Sequence, residues 1–338
     1  MSQKTYKIGI VGATGAVGQE AVRLLESRNF PVAELRLFAS ARSAGKTMTF
    51  QDVEVPLRAL DAEGMQGLDY VIFSAGAGRS REFAPVAVKA GAVVIDNSSA
   101  YRMDPNVPLV VPEINPGDLK LHQGIIANPN CSAAILGTAI WPLHQAAGIE
   151  RIIVSTYQSA SGAGAQAMAE LESQVGQHVR GLPLERSVFP HQIAFNVFSH
   201  NTAIGENGYN EEENKIREEL RKMFHEPALP ICATCIRVPV LRAHSESVVI
   251  ETKRRLSVAE AREILGKAPG VKLVDDRDAN HFPMPIEASG QLDILVGRVR
   301  EDLSNPHGLA LFVSGDQLLK GAAWNAVQIA ELLVAERA

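Results

Sequence analysis

The sequence predicts a two-domain α/β protein, a doubly wound parallel domain followed by an α+β domain with a mainly antiparallel sheet. Three observations predict it. At 338 residues the chain is long for a single hydrophobic core. Its first half alternates short, wholly apolar runs with helical stretches, the pattern of a parallel sheet covered on both faces. Its second half places strand-like segments one after another, at 231–241, 246–253, 294–301 and 309–315. Helical patterns at 211–224 and 258–266 accompany them, which makes this half α+β.

Composition narrows the class. Hydrophobic residues at 46% and charged residues at 21% describe an ordinary soluble globular protein. A net charge of −5 provides no broad basic field, which argues against nucleic acid as a partner. Three cysteines are too few for a disulfide framework and suit a reducing compartment. The N-terminus runs almost directly into a strand without the apolar core of a signal peptide, and no apolar span is long enough to cross a bilayer. The expectation is a soluble, cytoplasmic protein that does not engage membranes.

The first strand, 6–11, ends in Gly12-Ala13-Thr14-Gly15-Ala16-Val17-Gly18, and a helix over 19–26 starts at once. Glycines let backbone approach a pyrophosphate closely, and the helix N-terminus then faces the anion. The spacing G-x-x-G-x-x-G in this context predicts a Rossmann-type dinucleotide-binding domain. A second strand, 34–39, would carry a carboxylate at its end to hold the ribose of NAD. It runs instead into Ser40-Ala41-Arg42-Ser43, with cationic and hydroxyl groups that suit the extra phosphate of NADP. Strands at 68–73 and 91–96 follow, with a helix at 81–90 that contains Pro85. Arg102, in the next turn, is a candidate anion clamp because a guanidinium binds two oxygens at once.

A strand at 124–127 leads through Asn128-Pro129-Asn130-Cys131 into a buried helix over 134–141. Asn130 is a good N-cap, which puts Cys131 in the first helical turn. The positive end of the helix dipole favours a thiolate there, the nucleophilic form of cysteine. A strand at 151–159 then opens onto Ala160-Ser161-Gly162-Ala163-Gly164 and a helix over 165–174. The stretch 317–333 has helical period and would pack back on the first domain. The domains are therefore drawn as 1–129 with the C-terminal helix 317–338, and 130–316. Cys232 and Cys235 form a C-x-x-C without a second ligand pair, inside a strand, and read as buried packing; no metal is expected. Trp141 and Trp324 read as core.

Taken together, the glycine turn, Asn128-Pro129-Asn130-Cys131, the run Gln158 to Gly164, and Cys235 to Val240 followed by Ala243-His244-Ser245 resemble the aspartate-β-semialdehyde dehydrogenase family. The motifs occur in the family's order and span essentially the whole chain. The resemblance implies NADPH-dependent interconversion of L-aspartyl-4-phosphate and L-aspartate-4-semialdehyde with inorganic phosphate, on the route to lysine (through diaminopimelate), methionine, threonine and isoleucine. It makes Cys131 the acyl-forming nucleophile, His244 the general acid/base and Gln158 the residue that orients the acyl-enzyme. Arg237 would hold the substrate α-carboxylate, with Glu212 near the α-amino group and Arg102 with Lys215 on phosphate. Gly12, Thr14, Gly15, Ala16, Val17, Arg42, Ser43, Ser161, Gly162 and Gln317 map onto cofactor contacts. A homodimer, or a tetramer built from dimers, is implied as well.

The residue types fit such chemistry. Reduction of an acyl phosphate through a thioester needs a nucleophile that is also a competent leaving group, and a thiolate is both. The developing oxyanion needs donors, which backbone N–H groups at the start of the Cys131 helix and Asn130 are placed to supply. Histidine suits proton movement near pH 7, and His244 is read as lying in a turn between two strands. Glu212 and Lys215, three apart on a helix, share a face. Two other readings stand beside this one: N-acetylglutamyl-phosphate reductase, which shares the acyl-phosphate and thioester logic, and a non-catalytic dinucleotide-binding paralogue.

Overall fold

The apolar runs of the first half become a parallel sheet in the computed structural model, which describes residues 4–336. The chain divides into two units, one running up to Asn130 and resuming at Ala322, the other Cys131–Gly321. In the first unit β1 (Tyr6–Val11) passes through the glycine turn into α1 (Ala16–Ser27) and β2 (Val32–Ala39). A hairpin of β3 (Thr47–Phe50) and β4 (Val53–Ala59) adds to the edge through a parallel β2–β4 pairing. The sequence reading finds no strand there, because β4 buries only Leu57 and carries Pro56, so no apolar run marks it. Then come β5 (Tyr70–Phe73), α2 (Ala77–Lys89), which continues through Pro85, β6 (Val93–Asp96) and β7 (Ile125–Ala127).

The strand order is β3-β4-β2-β1-β5-β6-β7. From β1 the chain goes to β2 on one side and returns to β5 on the other, so the crevice at the carboxyl end of β1 is a topological switch point. Every side chain of β5 and β6 is buried, as strands covered on both faces require.

The second unit opens with α3 (Cys131–Ala147), then β8 (Ile149–Gln158), α4 (Ala165–Val179), β9 (Phe198–Ser199) and α5 (Glu211–Met223). It continues through β10 (Ile231–Arg237), β11 (His244–Thr252), α6 (Val258–Lys267) and β12 (Val271–Leu273). The single turn α7 (Pro285–Ala288), β13 (Ile294–Glu301) and β14 (Gly308–Gly315) complete it. The sheet order is β12-β13-β14-β11-β8-β10-β9, antiparallel except at β12–β13 and β8–β10. On one face Val154, Ala233, Val248 and Val313 are buried; on the other Ile153, Ile236, Val249 and Phe312 stay half-buried. An antiparallel sheet with one packed face alternates in this way.

After β14 the chain does not form one helix from Gln317. A π-helical turn, Leu319–Ala323, precedes α8 (Trp324–Glu336), which belongs to the first unit and packs on α1. No helix among the described residues is long and apolar enough to cross a membrane.

Candidate active site

In the first unit the glycine turn is held by close packing. Gly12 has φ +86°, and a Cβ on it would lie 2.5 Å from the Ser74 carbonyl oxygen. A Cβ on Gly18 would lie 2.2 Å from the Gly12 oxygen, so α1 sits directly on the turn. The N–H groups of Gly12 and Ala13 both donate to the Phe38 carbonyl, tying the turn to the end of β2. α1 begins after Gly15 with no side chain capping it and no acidic residue in its first turn, a start that favours an anion. Beside it a cavity of about 410 Å³ is lined by Gly12, Thr14, Phe38, Ser40, Ala75 and Arg79, among others. These features fit a dinucleotide: backbone approach at the turn, a helix N-terminus for pyrophosphate and a cavity at the switch point. Ala16 and Val17 open α1, and Arg42 and Ser43 lie in the turn after β2, where Arg42 is exposed. Arg79 carries no motif and is legible only once α2 is seen to start at this crevice.

Arg102 is buried rather than a solvated surface residue. Its Nε donates to the Asn128 carbonyl at 2.9 Å and one terminal nitrogen to the Asn97 carbonyl at 2.8 Å. Asn128 in turn donates to Asn97 Oδ1 and to the Ala322 carbonyl, so the segment before the cysteine is fixed by side-chain amides.

In the second unit the sheet gathers the remaining groups at one end. Arg237 on β10 is registered with Gln158 on β8, Ser245 with Tyr157, and His244 on β11 with Gly315 on β14. Arg237, Gln158 and His244 therefore finish three neighbouring strands at the same edge. Gly315 leaves room for α3: a Cβ there would lie 3.0 Å from Ile135. Cys131, one turn before Ile135 on the same helix face, is the first residue of α3 and is partly exposed, with Asn130 immediately before it. A Cβ on Gly321 would come 2.7 Å from that of Cys131, so the π-helical turn passes close behind Cys131.

His244 is not in a turn. It is the first residue of β11, fully buried, and follows Ala243, which has φ +70°. Burial, and secondarily the Arg237 charge, pulls its pKa down to about 3, so the imidazole is neutral at pH 7. Its Nδ1 lies 3.1 Å from both the Ser159 N–H and the Ser159 hydroxyl, while Nε2 has no partner among the described residues. The Ser159 hydroxyl is 3.0 Å from that of Ser161, to which Gln317 Nε2 donates, and Gln317 Oε1 accepts the Ala243 N–H at 2.9 Å. Gly162 faces the ring, since a Cβ there would stand 3.1 Å from His244 Nε2.

Arg237 is buried, with one terminal nitrogen donating to the Ser159 carbonyl at 2.7 Å and the other to His200 Nε2 at 2.8 Å. Its Nε has no partner among the described residues, so the guanidinium keeps donors for a ligand. Gln158 is oriented at both ends: Thr156 donates to its Oε1 at 3.1 Å, and its Nε2 donates to Glu212 Oε1 at 3.1 Å. Glu212 and Lys215 share a face of α5, with Lys215 Nζ 3.7 Å from Glu212 and 2.9 Å from Glu211. Arg237, Gln158, Glu212 and His244 thus form one buried polar cluster.

Sequence reasoning missed His200. Burial lowers its pKa to about 4, so it is neutral, accepts from Arg237 at Nε2 and donates from Nδ1 to Thr202. It stands 37 positions before Arg237 with no motif around it, and only the β9–β10 pairing brings the two together. Glu246 was missed too: it is fully buried one pleat behind His244, opposite Thr156, and neither carboxyl oxygen has a partner among the described residues. The C-x-x-C reading needs correction at one position. Cys235 is buried but Cys232 is exposed, because residues three apart on a strand point to opposite faces. Trp324 is buried, whereas Trp141 is only partly so, stacked 5.3 Å from His144.

Comparison with known proteins identifies the lineage. Residues 7–122 match the semialdehyde dehydrogenase NAD binding domain, and residues 140–320 the semialdehyde dehydrogenase dimerisation domain. The aspartate-semialdehyde dehydrogenase of a Synechocystis strain is 56% identical over 328 residues, 97% of each chain. The chain belongs to the aspartate-semialdehyde dehydrogenase family. Its Bacillus subtilis member is 47% identical over 334 residues, 96% of each chain. Among solved structures of the family, aspartate semialdehyde dehydrogenase II from Vibrio cholerae complexed with ASA superposes with a TM-score of 0.95 at 42% identity. That match covers 98% of this chain and 99% of the other. Family membership makes the first unit a nicotinamide-dinucleotide-binding domain and the second a dimerisation domain.

Proposed function

We propose that this protein is an NADP-dependent aspartate-semialdehyde dehydrogenase that interconverts L-aspartyl-4-phosphate and L-aspartate-4-semialdehyde through a thioester on Cys131. The observation that carries the reading is Cys131 at the first position of α3, in the unit where Arg237, Gln158 and His244 close one edge of the sheet. The helix N-terminus favours the Cys131 thiolate, which attacks the acyl carbon; the C–S bond forms as the C–O bond to phosphate breaks. Arg102 and Lys215 are assigned to the phosphate. The unused donors of Arg237 and the carboxylate of Glu212 match the α-carboxylate and α-ammonium of an aspartyl group. Gln158, fixed at both ends, orients the acyl group, His244 is assigned the proton at the carbonyl oxygen as general acid/base, and Asn130 with the N–H groups at the start of α3 is assigned to the oxyanion. A nicotinamide dinucleotide, when held by the glycine turn, would supply the hydride for reduction of the thioester. Collapse of the resulting thiohemiacetal oxyanion then expels the Cys131 thiolate and releases the aldehyde.

The family resemblance assigns Gly12, Thr14, Gly15, Ala16, Val17, Ser161, Gly162 and Gln317 to the cofactor, and the glycine turn suits its pyrophosphate. NADP is favoured over NAD because the turn after β2 carries Arg42 and Ser43 and no carboxylate. A homodimer through the second unit is supported by its matched domain and by the half-buried Ile153, Ile236, Val249 and Phe312 on one sheet face. Three free cysteines suit a reducing cytoplasm. The test is NADPH formation from aspartate semialdehyde with and without phosphate. Phosphate dependence and a loss of roughly 10³-fold or more in Cys131→Ser are expected. Full activity in that variant, or preference for N-acetylglutamate semialdehyde, contradicts the assignment.

A further inference from the structure

We propose that Arg79, in the first turn of α2, is a specificity-determining residue that pairs with the 2′-phosphate of NADP and so distinguishes that cofactor from NAD. The inference rests on the reading of the first unit as an NADP site and gives its discrimination to a residue outside both the glycine turn and the turn after β2. The cavity of about 410 Å³ at the switch point has the size of a small-molecule site, roughly 300–1,000 Å³. Most of its wall is apolar: Phe38 and Ala39 at the end of β2, Ala59 and Leu60 at the end of β4, and Ala75 just before α2. The β3–β4 hairpin, which no apolar run marks in the sequence, therefore supplies one side of the cavity. Such a wall suits the flat, largely apolar faces of an adenine ring.

The charge in this wall has one sign. Among the described residues that line the cavity, Arg79 is cationic and none is acidic. Ser40 and Ala41 line it too, at the end of β2, where an NAD site would place a carboxylate for the ribose 2′-hydroxyl. The place of a 2′-phosphate and the first turn of α2 thus face one cavity. Arg42 and Ser43 stand in the turn beyond and are not among the lining residues. One terminal nitrogen of Arg79 donates to Glu82 Oε2 at 2.9 Å. The edge formed by Nε and the other terminal nitrogen has no partner among the described residues, and its two parallel N–H groups match two oxygens of a phosphate. Both side chains of the Arg79–Glu82 pair are more than half exposed, so the pair adds little stability; its consequence is to aim the guanidinium. α2 also begins without a side-chain cap or an acidic residue in its first turn, and its dipole adds to the attraction for an anion. A Cβ on Gly76 or Gly78 would meet nothing within 4 Å, so the backbone leading to Arg79 leaves open space for a ligand.

The test is isothermal titration calorimetry of the full-length protein with NADP⁺ and with NAD⁺, in the absence of substrate, for wild type, Arg79→Ala, Arg79→Lys and Arg42→Ala. Arg79→Ala should weaken NADP⁺ binding about tenfold or more and leave NAD⁺ binding unchanged, which also shows that the variant is folded. Arg79→Lys should recover only part of the loss, because an ammonium offers a point charge in place of the fork. Arg42→Ala should weaken NADP⁺ less than Arg79→Ala does. Adenosine 2′,5′-bisphosphate and AMP, titrated into the same proteins, should repeat the pattern and so place the effect at the adenine end. Equal weakening of NADP⁺ and NAD⁺ in Arg79→Ala, or a larger loss in Arg42→Ala, overturns the proposal. Wild-type preference for NADP⁺ that survives in Arg79→Ala removes the role of Arg79 alone, whereas a wild type that binds both dinucleotides equally removes the NADP reading and this proposal with it. Binding is read without turnover, so the result does not depend on whether the protein acts on aspartate semialdehyde.

Discussion

One carboxyl group and one imidazole show how much a single buried residue governs here. Glu246 is fully buried with both oxygens unpartnered among the described residues, and burial raises its pKa well above 4.5, so it holds a proton in the folded state. Unfolding lets it ionise. The wild type is then most favoured below the unfolded value and loses stability as pH rises above about 5 toward the folded pKa. Glu246→Gln removes that linkage. In urea unfolding its stability relative to wild type should improve by up to ~1.4 kcal/mol per pH unit above about pH 5; a difference independent of pH contradicts a protonated Glu246. His200→Ala strips the acceptor from one terminal nitrogen of Arg237 and frees the guanidinium to swing. The expected result is a rise of about tenfold in the KM for aspartate semialdehyde, equivalent to ~1.4 kcal/mol, with kcat less affected. An unchanged KM would show that Ser159 alone holds Arg237. Cys131, Gln158, Arg237 and His244 were legible in the sequence as candidates because each sits in a run of residues that resembles a family motif. His200 and Glu246 were not, since their roles come from cross-strand neighbours that no local pattern encodes.

At the scale of elements, α5 is the piece whose chemistry and stability are most closely joined. Asn210 accepts the Glu213 N–H and Glu213 accepts the Asn210 N–H, a complete capping box at the turn that carries Glu212 and Lys215. Asn210→Ala should cost about 1 kcal/mol of stability and raise the KM for substrate, while Asn210→Ser restores both; equal KM values in the three proteins would separate the cap from the site. α4 works on the loop that follows it. Glu170 accepts from the Ser187, Val188 and Phe189 N–H groups and Gln174 from those of Ile193 and Ala194, which holds Phe189 under the Arg237 guanidinium. The sequence shows 176–196 only as a loop, because polar clamps of this kind have no period. Helices and strands with an apolar face were read within a few residues of their ends. The exposed β3–β4 hairpin and the π-helical turn before α8 were not, the first for want of burial, the second because a helical period does not reveal one extra residue per turn.

For the whole molecule, the parallel sheet of the first unit was legible from its run of buried strands, and the mainly antiparallel second sheet from its unbroken succession of strands. The parallel β8–β10 pairing was hidden, because α4, the clamped loop and α5 separate the two strands in sequence. Its other face yields a prediction about assembly: Val249→Asp, on the half-buried side of β11, should shift the protein from dimer to monomer in light scattering. A variant that stays dimeric places the interface elsewhere. The account as a whole depends on covalent custody of the aspartyl group by Cys131. Mass spectrometry of the full-length protein, incubated with aspartate semialdehyde and NADP but no phosphate, tests this most directly. The account predicts an aspartyl adduct on the Cys131 peptide that disappears when phosphate is added; phosphate-dependent NADPH formation with Cys131 never modified would contradict it.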